Sequence, residues 1–162
     1  MINAWTEFQP LEKVILGRAF PPETFDWHGN REQREVMRQI FEETEEDLQE
    51  LVKIFKQASV QVARPKNIFT INGEEQVKLP WMECGYPNHP LMPRDTLFPY
   101  GNTMFEMFTG SDNRYFENMA YHHINHYEWM TGKEWISMPG VMVNTGKGYK
   151  DFEAESKLIY HA

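Results

Sequence analysis

Residues 11–18 read LEKVILGR, an apolar, β-branched run that ends at a glycine and an arginine. A run of this length closed by glycine predicts a strand over residues 11–16 that is buried on both faces. Residues 60–63 read VQVA, and the Arg64-Pro65 pair ends this pattern because proline keeps its predecessor extended. We therefore predict a second strand over residues 60–63.

The segment between these strands has the pattern of one long amphipathic helix over residues 31–57. The side chains of its inner face recur at steps of three and four and are Met37, Ile40, Phe41, Thr44, Leu48, Leu51, Val52 and Phe55. Six of the nine residues from 42 to 50 are acidic, and we interpret them as a solvated helix face. Strand, helix and strand in this order are typical of an α/β fold.

A hairpin is predicted further along the chain. Residues 96–100 and 103–108 have strand-like patterns and flank Gly101-Asn102, whose members both tolerate positive φ. Pro99 cannot donate a ladder hydrogen bond, which indicates an edge strand. The preceding residues 66–92 are expected to form a long ordered loop, because they are polar and contain several prolines and glycines.

A second helix and two further strands complete the pattern. Residues 113–130 repeat apolar side chains at helical spacing, and Gly132 provides the C-terminal stop. Residues 135–139 predict a short strand, and residues 158–161 begin another just before the chain ends. The class is therefore α/β, and we expect the partners of the last strand to lie outside this chain.

Composition and charge limit the classes of protein. The 162 residues are 41% hydrophobic and 25% charged, which predicts a single folded domain over residues 1–162. A net charge of -8 argues against nucleic acid as a partner, and the short apolar runs argue against a membrane. The single cysteine, Cys84, and the lack of a signal peptide lead us to expect a cytoplasmic location.

The histidines and the cysteine give no sign of a metal or a nucleophile. His122, His123 and His126 have helical spacing, but no neighbouring carboxylate or cysteine completes a ligand set. Glu83 precedes Cys84, and an acidic neighbour disfavours a thiolate. We therefore predict no metal site and no cofactor, and we interpret Cys84 as a structural or incidental cysteine.

Residues 92–95 read MPRD and place a cation beside a carboxylate just before a predicted strand. Asp95 at the mouth of a sheet is suited to accept paired hydrogen bonds from a planar guanidinium or amidinium ligand. Arg94 could brace such a site or bind a carboxylate. From the pattern alone, a surface Arg–Asp turn is the better interpretation, because four residues are a small signal.

Several sequence blocks resemble, in order, the amidinotransferase family of the pentein superfamily, typified by arginine:glycine amidinotransferase. The matching blocks are residues 7–19, Arg64-Pro65, residues 92–95, Gly101-Asn102, residues 114–117 and Ala120-Tyr121. The family usually has tryptophan and aspartate before the proline of its first strand, so Phe8-Gln9 departs from it mildly. The matches extend from about residue 6 to residue 135.

This resemblance implies a partial pentein fold, an α/β-propeller of five ββαβ-type modules of which this chain supplies roughly the first two. It also implies a reaction in which a cysteine thiolate attacks the guanidinium carbon of arginine, ornithine leaves, and the amidino group passes to an amine such as glycine. Asp95 matches the family aspartate that helps to hold the guanidinium. Arg94, its neighbour in the motif, has a supporting role at most.

The resemblance also implies that the catalytic groups are missing. The family's catalytic aspartate, histidine and cysteine lie downstream of a stretch similar to residues 158–162, and Cys84 does not match the nucleophile. We therefore expect this N-terminal portion, whether a truncated gene product, half of a split enzyme or a shortened piece, to be inactive by itself. The alternatives are half of a split guanidine hydrolase, or a non-catalytic subunit that pairs with a C-terminal half or with itself.

Overall fold

The computed structural model describes residues 2–6, 8–26, 30–67, 77–79, 82–84, 89–109, 114 and 116–138. Within them the helices are α1 (Arg31–Gln57) and α2 (His122–Met130), and three short 3-10 helices span Pro22–Phe25, Pro93–Asp95 and Glu117–Tyr121. The strands are β1 (Lys13–Ile15), β2 (Gln61–Ala63), β3 (Val77–Leu79), β4 (Met82–Cys84), β5 (Leu97–Tyr100), β6 (Thr103–Glu106) and β7 (Glu134–Ser137).

The first unit is the predicted strand, helix and strand. β1 pairs in parallel with β2, so that Val14 lies opposite Val62, and α1 forms the crossover between them. The helix occupies the predicted residues 31–57. The prediction that β1 is buried on both faces was wrong: its three side chains are only half-buried, because β2 is its one neighbour among the described strands.

The second unit is a three-stranded sheet in the order β5, β6, β7, with an antiparallel and then a parallel pair. The predicted hairpin is confirmed, with Gly101 in the left-handed region at φ +56°. Pro99 lies in β5, which is an edge strand of this sheet among the described residues.

The second helix differs from its prediction. A continuous helix over residues 113–130 was expected, but residues 117–121 form a 3-10 helix and the α-helix begins only at His122. The carbonyl of Ala120 accepts a hydrogen bond from the amide of Lys66 at 3.0 Å. This long-range bond binds the segment to the end of the first unit, and periodicity cannot reveal it.

One apolar core joins the two units. It contains Ile2, Leu97, Met104, Ala120, Tyr121 and Ile124, and the half-buried Ile15 and Ala63 of the first sheet pack against it. The side chains of β1 and β2 therefore contribute to the same core as the hairpin and α2, and this shared core holds the start of β5 in place.

Some of the predicted elements lie partly or wholly outside the residues that the structure describes. The loop predicted over residues 66–92 contains an antiparallel hairpin of β3 and β4, so the prediction was wrong for these strands, and much of the rest of the segment is not described. The strand predicted over residues 158–161 and the side chain of Cys84 also lie outside the described part. None of the described helices has the length and apolar character that crossing a membrane requires.

Candidate guanidinium site

Asp95 ends the 3-10 turn Pro93–Asp95, immediately before β5. The turn is held by its own backbone, because the amide of Asp95 donates to the Met92 carbonyl and that of Thr96 to the Pro93 carbonyl, each at 3.1 Å. Thr96 is fully buried, whereas the Asp95 side chain is 48% exposed. The carboxylate therefore lies at the rim of the sheet, in partial contact with solvent.

The Asp95 carboxylate binds a guanidinium from its own chain. Arg114 Nη1 donates a hydrogen bond to Asp95 Oδ2 at 2.9 Å. The rest of the Arg114 guanidinium grips Glu117 with two bonds, Nε to Oε2 at 2.7 Å and Nη2 to Oε1 at 3.1 Å. We call Asp95, Arg114 and Glu117 the carboxylate–guanidinium triad.

Burial decides the electrostatics of this triad. The Glu117 side chain is only 1% exposed, and burial raises its pKa, although the hydrogen bonds from Arg114 oppose the shift. The hydrogen bond to Glu117 raises the pKa of Arg114 most, and the hydrogen bond to Asp95 adds to this rise. Burial alone would lower the pKa of Arg114, but its effect is smaller. With both carboxylates ionised, two negative groups surround one positive group, and the triad keeps a surplus negative charge.

The structure separates Arg94 from this arrangement. Its side chain is exposed, and among the described residues it forms neither a hydrogen bond nor an ion pair. It therefore does not brace Asp95, and its guanidinium is accessible to a ligand carboxylate. Arg114, which does contact Asp95, is 19 residues further along the chain. The sequence indicated it only as the first residue of the 114–117 block that resembles the family.

A second buried carboxylate, Glu106, has its oxygens occupied by the protein. It accepts hydrogen bonds from Trp135 Nε1 at 2.9 Å, Asn125 Nδ2 at 3.3 Å and Ser137 Oγ at 3.4 Å. His122 Nε2 lies 3.3 Å from Oε1, the oxygen that Ser137 also contacts. Glu106 thus ties β6, β7 and α2 together and is a structural group.

The other two histidines of α2, His123 and His126, have separate surroundings. His123 Nε2 lies 3.1 Å from the Arg64 carbonyl, and burial lowers the pKa of this imidazole. His126 is exposed and packs beside Trp129. Across the described ranges, no group of three or more histidine, cysteine or acidic side chains could hold a metal ion.

The chain has an α/β fold that superposes on amidinotransferases of known structure. The inosamine-phosphate amidinotransferase StrB1 from Streptomyces griseus superposes with a TM-score of 0.67 at 24% identity, over 87% of this chain and 44% of that one. SxtG, an amidinotransferase from Microseira wollei in the saxitoxin biosynthetic pathway, has a TM-score of 0.66 at 24% identity, over 86% and 42%.

Curated proteins of similar sequence are also named as amidinotransferases. The chain is 28% identical over 156 residues to a putative inosamine-phosphate amidinotransferase 2 of Streptomyces griseus, and 27% identical over 155 residues to inosamine-phosphate amidinotransferase 1 of Streptomyces glaucescens. Each alignment covers 86% of this chain and 43% of the relative. No family model matches the chain.

The resemblance to the amidinotransferases is thereby confirmed. The chain spans less than half of the length of the curated relatives that it matches, which is consistent with the N-terminal portion that the order of the motifs indicated.

Proposed function

We propose that this chain supplies the guanidinium-binding wall of an amidinotransferase, as roughly the first two modules of a pentein propeller. The observation that carries the proposal is the half-exposed Asp95 carboxylate at the start of β5. Arg114 binds its Oδ2 atom, and Oδ1 has no hydrogen-bond partner among the described residues. A carboxylate oxygen free at a sheet rim is an acceptor for a second planar cation.

The ligand is a small molecule with a guanidino group, such as arginine. Its guanidinium donates to Asp95 Oδ1 while Arg114 keeps Oδ2, and the surplus negative charge of the triad favours one monocation. Arg94 is exposed one residue before Asp95, and its guanidinium suits the carboxylate of an amino-acid ligand. Asp95 thus holds the reacting group, and Arg94 supports the other end.

The transfer itself needs groups that this chain does not match. In the proposed reaction a cysteine thiolate attacks the guanidinium carbon, ornithine leaves with a proton supplied by a histidine, and an amine displaces the cysteine from the amidino group. By the resemblance, those residues lie downstream of the motifs that this chain matches. The names of the curated relatives give inosamine phosphate as their acceptor, and they favour transfer to an amine over hydrolysis.

Arginine titration tests the role of Asp95. A charge-assisted hydrogen bond contributes about 1.5–3 kcal/mol, so Asp95→Asn should weaken arginine binding roughly 10- to 150-fold. Isothermal titration calorimetry of the 162-residue chain measures the Kd. Ornithine, which lacks the guanidinium, should bind no better to the original chain than to the variant.

The matched control is Asp47→Asn, which removes an exposed carboxylate from the outer face of α1. It lowers the net negative charge equally and should leave the Kd for arginine unchanged. Equal affinity of arginine for the original chain and for Asp95→Asn would show that Asp95 does not hold the ligand.

A further inference from the structure

Glu117 is a buried carboxylate that lies too deep to meet a ligand at the rim. Its side chain is 1% exposed, whereas Asp95 is 48% exposed. The Arg114 guanidinium lies between the two and hydrogen-bonds to both. We infer that Glu117, acting through Arg114, is a positioning residue that orients the Asp95 carboxylate for a guanidinium ligand; this inference rests on the proposed function.

The geometry of Arg114 makes this coupling rigid. Its Nε and Nη2 atoms form a two-pronged contact with the two oxygens of Glu117, at 2.7 and 3.1 Å. A guanidinium is planar, so fixing two of its nitrogens fixes the direction of the third. The remaining Nη1 atom therefore points at Asp95 Oδ2, 2.9 Å away, and sets the orientation of that carboxylate.

The 3-10 helix that carries Glu117 is held by hydrogen bonds to other segments of the chain. Glu117 begins the 3-10 helix Glu117–Tyr121, and the fully buried Tyr121 donates its hydroxyl to the Pro90 carbonyl at 2.9 Å. The neighbouring Asn118 donates to the Met107 carbonyl at 2.9 Å. The segments that carry Glu117 and Asp95 are thus joined by contacts independent of Arg114.

Charge gives Glu117 a second effect. Asp95 and Arg114 by themselves would form a neutral pair with little attraction for a cationic ligand. Glu117 offsets the positive charge of Arg114 from the buried side. The Asp95 carboxylate at the rim therefore still attracts a guanidinium cation electrostatically. A buried charge is tolerated only when it is paired, and Arg114 meets this condition for Glu117.

A pair of substitutions tests whether Glu117 acts through Arg114. Glu117→Gln keeps the size of the side chain and removes its charge, and Arg114→Lys keeps a cation but cannot bridge both carboxylates. Each should weaken arginine binding about tenfold in calorimetry, the loss expected for one charge-assisted hydrogen bond. The double variant should be no weaker than Arg114→Lys alone, whereas additive losses would overturn the inference.

The matched control is Asp26→Asn on the surface. Asp26 accepts a similar two-pronged contact from Arg38, Nε to Oδ1 at 2.7 Å and Nη2 to Oδ2, far along the chain from the triad. The Kd for arginine should not change. Circular dichroism checks the fold of each variant, and Glu117→Asp, which keeps the charge but shortens the side chain, replaces Glu117→Gln if that variant unfolds.

Exchange of arginine Nε protons, followed by NMR in the absence of ligand, separates this inference from the proposed function. Arg114 Nε–H should exchange more slowly than that of the exposed Arg94, should stay slow in Asp95→Asn and should become fast in Glu117→Gln. Fast exchange in the original chain would overturn the inference even if arginine binds. Slow exchange without any arginine binding would overturn the proposed function and, with it, the ligand role of Glu117.

Discussion

Asp95 and Arg94 are adjacent in sequence, yet the structure gives them different surroundings. Asp95 is bound by Arg114, whereas Arg94 has no polar partner among the described residues. The short motif indicated which carboxylate to consider, because it lies at the start of a strand. It could not indicate the partner, since a contact across 19 residues depends on how the chain folds back.

Gly17 is a second residue whose importance depends on its surroundings, because it lies against the backbone of Leu91. A Cβ atom added there would lie 1.9 Å from the carbonyl oxygen of Leu91. Gly17→Ala should therefore force the end of β1 away from the segment that leads to Asp95. We predict a loss of about 3 kcal/mol in the free energy of unfolding, measured by urea denaturation.

The control for this prediction is Gly132→Ala. Gly132 has φ +87° but has open space around it, so alanine there costs only the strain of a left-handed backbone, about 1–2 kcal/mol. If Gly17→Ala is no more destabilising than Gly132→Ala, the contact with Leu91 does not constrain the fold.

Helix α1 agrees with its prediction at both ends, because local features determine it. Its apolar positions have helical spacing, and the Asn30 side chain accepts a hydrogen bond from the Gln33 amide at 3.2 Å, which caps the first turn. In contrast, the start of α2 was predicted too early, since the 3-10 helix before it depends on a contact with Lys66.

The cap of α1 is testable. Asn30→Ala removes the side-chain acceptor and should lower the free energy of unfolding by about 1 kcal/mol, whereas Asn30→Asp should retain it. Urea denaturation followed by circular dichroism measures both. A variant with alanine that is as stable as the one with aspartate would mean that the cap contributes nothing.

The two units are joined by a buried ion pair as well as by the apolar core. Glu128 of α2 is 2% exposed and accepts hydrogen bonds from Lys13 Nζ of β1 and from the amide of Ile2, the latter at 2.9 Å. Burial raises the pKa of Glu128, but the bonds from Lys13 and Ile2 outweigh it, and the net shift is downward from 4.5.

This shift predicts how stability depends on pH. A carboxyl group with a lowered pKa binds protons more weakly in the folded state, so its contribution is complete above about pH 4.5 and is lost as the pH falls. Glu128→Gln should cost about 2 kcal/mol at pH 7 and clearly less at pH 3. Glu117, whose pKa is raised, changes stability with pH in the opposite direction. The effect of Glu128→Gln is therefore measured as the difference in free energy of unfolding between the variant and the original chain at the same pH.

Urea denaturation at both pH values measures these differences, with Glu46→Gln on the exposed face of α1 as the control. The control should cost little at either pH. A cost for Glu128→Gln that is the same at pH 7 and pH 3 would contradict the role of the Lys13 pair.

The sequence by itself determined the α/β class, the bounds of α1, the hairpin around Gly101 and the likeness to amidinotransferases. These depend on periodicity, turn residues and the order of short motifs, all of which are local along the chain. Only the tertiary structure decided that Arg114 links Asp95 to Glu117 and that Glu128 joins the two units. Such contacts require distant segments to meet, and burial then raises the pKa of a carboxyl group such as that of Glu117.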